Sequence, residues 1–205
     1  MMLASAHSLS AFRHATMTIP PRLCRDALLD ELLRRPAGAD FRDDPLRPLF
    51  ASLLAGRALG EGVMPATLGL SPADFAALWR AYFPGPPLRL TDGVAEDVPE
   101  FDDLVRLLLE YRAGPDARHD WVARILARGC AGRDHLWQDL GLANRGELSA
   151  LFNAAFPRLA AENSGDMKWK KFLYRQYCAR DGIYVCPAPS CGACADYAKC
   201  FAPEE

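Results

Sequence analysis

The sequence predicts an all-α protein: two similar helix–loop–helix lobes followed by an irregular, cysteine-rich C-terminal tail that binds metal. Three observations predict it. Apolar residues recur at helical spacing in seven separate segments. Residues 49–70 repeat, without a gap, as residues 121–142. Four cysteines crowd into residues 186–200.

The bulk numbers frame these observations. A chain of 205 residues suits one domain or two small lobes, and 50% hydrophobic residues are enough to bury a core. A formal net charge of −2 gives no global field for nucleic acid or an anionic membrane, so neither is expected as a partner. No apolar run approaches the roughly 20 residues of a membrane span. Residues 1–20 carry Arg13, two histidines and no acid, and they contain no apolar core of a secretory signal. They read as a disordered arm ending at Pro20-Pro21, ahead of a helical domain over 21–180 and a tail over 181–205.

The helices follow in order. Residues 24–35 place Ala27, Leu28, Leu32 and Leu33 on one stripe, with an arginine pair suited to a C-terminal turn. Residues 44–56 open with Asp44 as a cap and Pro45 at the first helical position. Residues 71–83 repeat that logic with Ser71, Pro72 and Asp74. Residues 97–112 open with acids and close with Arg112, the polarity a helix dipole favours. Residues 115–129 end at Gly129, a stop signal. Residues 144–156 and 166–180 complete the set, and no strand pattern is found.

The repeat, about 44–84 and 116–157, has an offset of 72 residues. Ala51, Leu54, Ala55, Gly60 and the Leu68-Gly69-Leu70 triplet recur as Ala123, Leu126, Ala127, Gly132 and Leu140-Gly141-Leu142. After one inserted residue, Phe75, Leu78, Phe83 and Pro84 align with Leu148, Leu151, Phe156 and Pro157. Both second helices open with a cap, Ser71 or Asn144, and an acid three residues on, Asp74 or Glu147. Such copies can pack about a pseudo-twofold axis. The second copy alone carries Cys130 and His135, where the first has Ala58 and Val63. These are candidate metal ligands; the plainer reading makes Cys130 a small buried apolar residue and His135 a surface or capping side chain.

The tail reads C-x4-C-x2-C-x5-C through Cys186, Cys191, Cys194 and Cys200. Four thiolates so close can converge on one inorganic centre, and the first three match a spacing used by plant-type ferredoxins. A four-cysteine structural zinc site competes, although most zinc modules separate two C-x2-C knuckles by a longer insert. Disulfides rank third, because clustering in a chain expected to be cytosolic points to metal. Gly192, Ala193 and Ala195 leave backbone N–H groups free to approach sulfur. In the preceding helix Trp169, Phe172, Leu173 and Tyr177 form an apolar stripe read as core. Lys168, Lys170, Lys171, Arg175 and Arg180 read as solvated surface that suits a neighbouring negative centre. Cys178 reads as a buried inert thiol.

Four blocks in this order, HLWQDLGL (135–142), DMKWKKFLYRQYC (166–178), GIYVCPAPSC (182–191) and the cysteine ending, resemble the NifQ family over roughly residues 40–205. The resemblance implies a cytoplasmic iron–sulfur protein that takes up molybdenum, from molybdate or another source, and carries it as a molybdenum–iron–sulfur cluster for nitrogenase iron–molybdenum cofactor assembly. It implies a cluster of the three-iron or four-iron type, with the nitrogenase iron protein and the cofactor-assembly scaffold as partners. It matches the four tail cysteines one for one and raises Cys130 and His135 as metal-site residues. A carrier is expected rather than a turnover enzyme. The rival reading is a helical interaction or regulatory protein with a structural zinc site.

Overall fold

The computed structural model describes residues 21–93, 97–180 and 197–202. Among them the fold is all-helical, with no strand. The helices are α1 (Pro21–Arg34), α2 (Leu46–Leu59), α3 (Pro72–Tyr82), α4 (Phe101–Glu110), α5 (Ala117–Gly129), α6 (Leu136–Leu140), α7 (Arg145–Ala155), α8 (Pro157–Glu162), α9 (Trp169–Arg180) and α10 (Tyr197–Phe201), with a 3-10 turn at Ala39–Phe41. The seven helices expected from periodicity are all present. Three short ones, α6, α8 and α10, fall in segments with no full period to reveal them. The expected arm over 1–20, and the tail from 181 to 196, lie outside the described residues.

Local chemistry sets the helix ends. Ser71 accepts from the Asp74 N–H, and Asn144 accepts from the Glu147 N–H, as the two matching cap signals require. Phe83 and Phe156 end α3 and α7 with nearly the same backbone, φ −138° and ψ 46° against φ −138° and ψ 57°. Asp44 behaves differently from expectation. Helix α2 starts at Leu46 with Pro45 as its N-cap residue, and Asp44 Oδ1 accepts from the Leu46 N–H at 2.9 Å. Its other oxygen accepts from Tyr82 Oη at 2.6 Å and from Arg118. Asp44 is therefore a buried junction of α2, α3 and α5.

Helix α4 starts at Phe101, later than its acids suggest, after a turn closed by Phe101 N–H donating to the Val98 carbonyl. On α1 the inward face is buried Arg25 and Leu32 with half-buried Leu29, while Ala27 and Leu33 of the expected stripe are left exposed. The buried residue is an arginine because its guanidinium has oxygen partners waiting: Ser52 O at 3.1 Å, Ser52 Oγ at 3.0 Å, Glu61 Oε2 at 2.6 Å and the Gly141 carbonyl.

One core runs through the molecule from Leu32 and Phe50 through Leu104 and Leu126 to Phe152 and Leu173. Within it the two similar segments touch reciprocally. A Cβ on Gly56 of α2 would lie 2.1 Å from the Gly141 carbonyl, and a Cβ on Gly69 would lie 2.7 Å from Arg128 Cγ of α5. Gly69 and Gly141 correspond under the offset of 72, as do Gly56 and Arg128. Both turn glycines have left-handed backbones, φ 76° and φ 72°.

Gly56→Ala should therefore lower stability by about 3 kcal/mol, because the obstacle is backbone and cannot rotate away. Urea denaturation measures it. Gly114→Ala serves as the control, since nothing approaches its Cβ more closely than His119 Cε1 at 3.7 Å.

Candidate metal centre

The segment joining α5 to α6 carries both non-tail candidates. Cys130 is the C-cap residue of α5, and its N–H donates to the Ala127 carbonyl at 3.2 Å. Two glycines allow the chain to leave the helix tightly there. A Cβ on Gly129 would strike Leu140 and Leu136, and one on Gly132 would sit 2.1 Å from the Asp139 carboxyl carbon. His135 is the N-cap residue of α6, with its backbone N–H donating to Gln138 Oε1 at 3.1 Å. Its side chain is half-buried. The capping position raised as the plainer reading is thus occupied by His135.

Cys130 is buried at 8% exposure, and burial pushes its thiol up to about 12. Nearby Lys170 opposes that rise and Asp139 adds to it. The group is a neutral thiol at ordinary pH, and only a metal able to displace the proton would make it a ligand.

Lys170 departs from the sequence expectation. It does not join the solvated cations. Its ammonium donates to the Gly132 carbonyl at 2.8 Å and forms a short ion pair with the Asp139 carboxylate, which is 1% exposed. The link fastens α9 to the Cys130–His135 segment. One turn along α9, Tyr174 is pushed up to about 12 by burial and by the neighbouring Cys130 and Glu100. Cys178 lies a further turn on and also bears on Tyr174. Positions 170, 174 and 178 therefore share one face of α9, on which Lys170 and Tyr174 lie near the Cys130 segment. The sequence carries a weak trace of this: Lys170, Tyr174 and Cys178 recur at four-residue spacing beside the apolar stripe.

Of the tail candidates, Cys200 lies on α10 and packs partly against the core. Its carbonyl accepts from the Lys168 N–H at 2.8 Å, so the tail's last cysteine is tied to the residue that precedes α9. Cys186, Cys191 and Cys194 lie outside the described residues. Cys130, Cys178 and Cys200 are free thiols. Among the described residues, no three His, Cys, Asp or Glu side chains gather to hold a metal ion.

The comparison with known proteins rests on this same region. The sequence model of the NifQ family matches residues 49–202, from α2 through the cysteine tail. The chain belongs to the NifQ family. Protein NifQ of Rhodobacter capsulatus is 43% identical over 150 residues, covering 72% of this chain and 82% of that protein. Protein NifQ of Azotobacter vinelandii is 39% identical over 160 residues, covering 71% and 82%. Protein NifQ of Klebsiella pneumoniae is 36% identical over 160 residues, covering 69% and 90%. No solved structure matches the chain at a significant level. Among the described residues, no helix is long and apolar enough to cross a membrane.

Two outcomes follow from the geometry. Lys170→Met should cost about 3–5 kcal/mol by leaving the Asp139 carboxylate buried and unpaired. The double variant Lys170→Met with Asp139→Leu should lose less than that single variant. Urea midpoints of both decide it, and an unchanged midpoint in Lys170→Met would show the pair to be idle. In metal-free protein, Cys130 should alkylate with iodoacetamide at least about tenfold more slowly than Cys200, because it is both buried and held protonated. Mass spectrometry of the tryptic peptides reads both rates in one sample.

Proposed function

We propose that this protein serves nitrogen fixation as a cytoplasmic carrier. It would hold molybdenum in an iron–sulfur cluster and pass it to iron–molybdenum cofactor assembly. Cys186, Cys191, Cys194 and Cys200 would supply the tail thiolates, and Cys130 and His135 the ligands from the body. The observation that carries this reading is the return of the tail. The Lys168–Cys200 hydrogen bond brings its last cysteine to the turn of α9 from which Lys170 reaches the Cys130 segment.

The donors fit such a group. Free thiols are soft ligands suited to iron, sulfide clusters and molybdenum. A thiolate formed at buried Cys130 would meet the Lys170 ammonium already in place, which offsets part of its charge. A bound three-iron or four-iron cluster would supply the sulfide that holds molybdenum. The chain's own work is then to gather thiols, shield them and release one metal. His135 suits the release step, since a neutral imidazole binds at ordinary pH and leaves more readily than a thiolate. Molybdate or another molybdenum source is the proposed cargo precursor. The nitrogenase iron protein and the cofactor-assembly scaffold are the proposed partners.

The two helix–loop–helix segments are proposed to be copies of one unit related by a pseudo-twofold. The matched caps and the reciprocal Gly56–Gly141 and Gly69–Arg128 contacts support it. On this reading the second copy acquired the ligand-bearing segment and α6, while the first kept turns and Pro65 at the corresponding place.

Metal analysis of anaerobically purified protein tests the function. Wild type should be brown and contain iron. Cys186→Ala, Cys191→Ala and Cys194→Ala should each lose most of it, whereas Cys24→Ala should not. His135→Ala should keep iron but lower the molybdenum-to-iron ratio several-fold. A colourless protein containing stoichiometric zinc would overturn the carrier reading in favour of a helical interaction protein with a structural zinc site. Equal ratios in wild type, His135→Ala and Cys130→Ala would remove both residues from the site.

A further inference from the structure

Helix α3 borders an apolar groove of about 270 Å³ that no part of the described chain fills. Phe75, Ala76 and Trp79 form one wall, and Pro87, Leu88 and Leu90 the other. Phe75, Trp79, Leu88 and Leu90 are only half-buried. Trp79 is held rigidly: its indole N–H donates to the Gly85 carbonyl at 3.2 Å, and the Arg35 guanidinium lies 5.1 Å over its ring. The rim is basic. Arg80 and Arg89 are exposed and have no ion-pair partner among the described residues.

The corresponding face of the other segment shows what such a groove accepts. In the register of the sequence match, Phe75, Ala76 and Trp79 align with Leu148, Ser149 and Phe152 of α7. That face is closed. Leu148 and Phe152 are fully buried. Trp169 stacks on Phe152 with ring centroids 3.8 Å apart and planes 3° from parallel, and its indole N–H donates to Ser149 Oγ at 3.3 Å. Phe172 and Leu173, three and four residues further along α9, are also buried. One face is closed by Trp169 at the start of α9; its counterpart on α3 is filled by no described residue.

We propose that the α3 groove docks an acidic amphipathic helix of a partner protein, which inserts a large side chain there as Trp169 of α9 does against α7. The apolar contacts require a large aromatic or aliphatic residue to enter between Phe75 and Leu88, with others at three- or four-residue spacing. The two arginines, without an ion-pair partner among the described residues, select acids on the flanks of that helix. They also exclude the obvious internal alternative, α9 of a second copy, because its flanks carry Lys168, Lys171 and Arg175 and would repel the rim. The groove is independent of the cysteines, so this inference stands or falls separately from the metal.

The test uses the full chain and two fluorescein-labelled synthetic peptides copying residues 166–180, both with Cys178→Ser. One keeps the native cations. The other replaces Lys168, Lys170, Lys171, Arg175 and Arg180 by Glu. Fluorescence anisotropy should show saturable binding of the acidic peptide, with the basic peptide at least about tenfold weaker. The exposed double change Arg80→Glu and Arg89→Glu should reverse that preference. Ala76→Gln, which fills the groove, should abolish it, with circular dichroism confirming that the variants remain folded. Absence of saturation with the acidic peptide below about 1 mM would overturn the proposal. So would equal affinity for both peptides, a preference that survives charge reversal, or binding unaffected by Ala76→Gln.

Discussion

Asp139 holds together three parts of the molecule that the sequence separates widely. Its carboxylate is buried, pairs with Lys170 of α9 and fills the space a side chain at residue 132 would need. Its backbone carbonyl accepts from the Val63 N–H at 2.9 Å, reaching the turn after α2. One residue thus fixes the Cys130 segment, the tail-bearing helix and the first helical pair relative to one another. A buried ion pair is a weak source of net stability, because desolvation offsets most of its attraction. Its value here is positional. With apolar residues at both sites the core would tolerate α9 at several rotations, whereas the ammonium has a carboxylate and the Gly132 carbonyl to satisfy at once.

Around this junction the close contacts are made by glycines, and their placement explains the tight interlock of the two helical pairs. Gly56 lets α2 lie directly against the Gly141 turn, and Gly62 would otherwise press on Asp139 and Gly141 backbone. Removing side chains brings polar backbone groups into the interior, and those groups need partners. Two arginines provide them. Arg25 donates to the Gly141 carbonyl, and Arg57 donates to the Glu61 carbonyl at 2.6 Å, the Gly62 carbonyl at 3.1 Å and the Thr91 carbonyl at 2.8 Å. Burial lowers the Arg57 pKa from its usual value, the electrostatic cost of using a cation as internal mortar.

Long periodic segments could be read from the amino acids because their apolar stripes exceed two turns and their caps carry specific chemistry, as at Ser71 and Asn144. Helix α6 could not, since five residues between His135 and Gly141 contain only one turn of signal. Inward-facing charges were also hidden. Half-buried Lys170 and buried Arg25 and Arg57 have the composition of surface residues, and only the fold reveals the carbonyls and carboxylates that await them. The candidate centre was readable in part for a similar reason. The tail spacing speaks directly about thiolates, but the contribution of Cys130 depends on which helix covers it. That covering arises from the three-dimensional partnership of Lys170, Gly132 and Asp139.

Helix α9 unites the structural and chemical arguments. Its Trp169 face closes the second helical pair, and its Lys170–Tyr174–Cys178 face lies towards the Cys130 segment. Lys168, the residue just before it, bonds the Cys200 carbonyl. A single helix therefore gives the second pair a finished core and lies beside both Cys130 and Cys200. Among the described residues no helix plays that part for the first pair, and the groove beside α3 stays open. Gly56 of α2 meets Gly141 two residues from Asp139, so the two pairs are joined at that same junction.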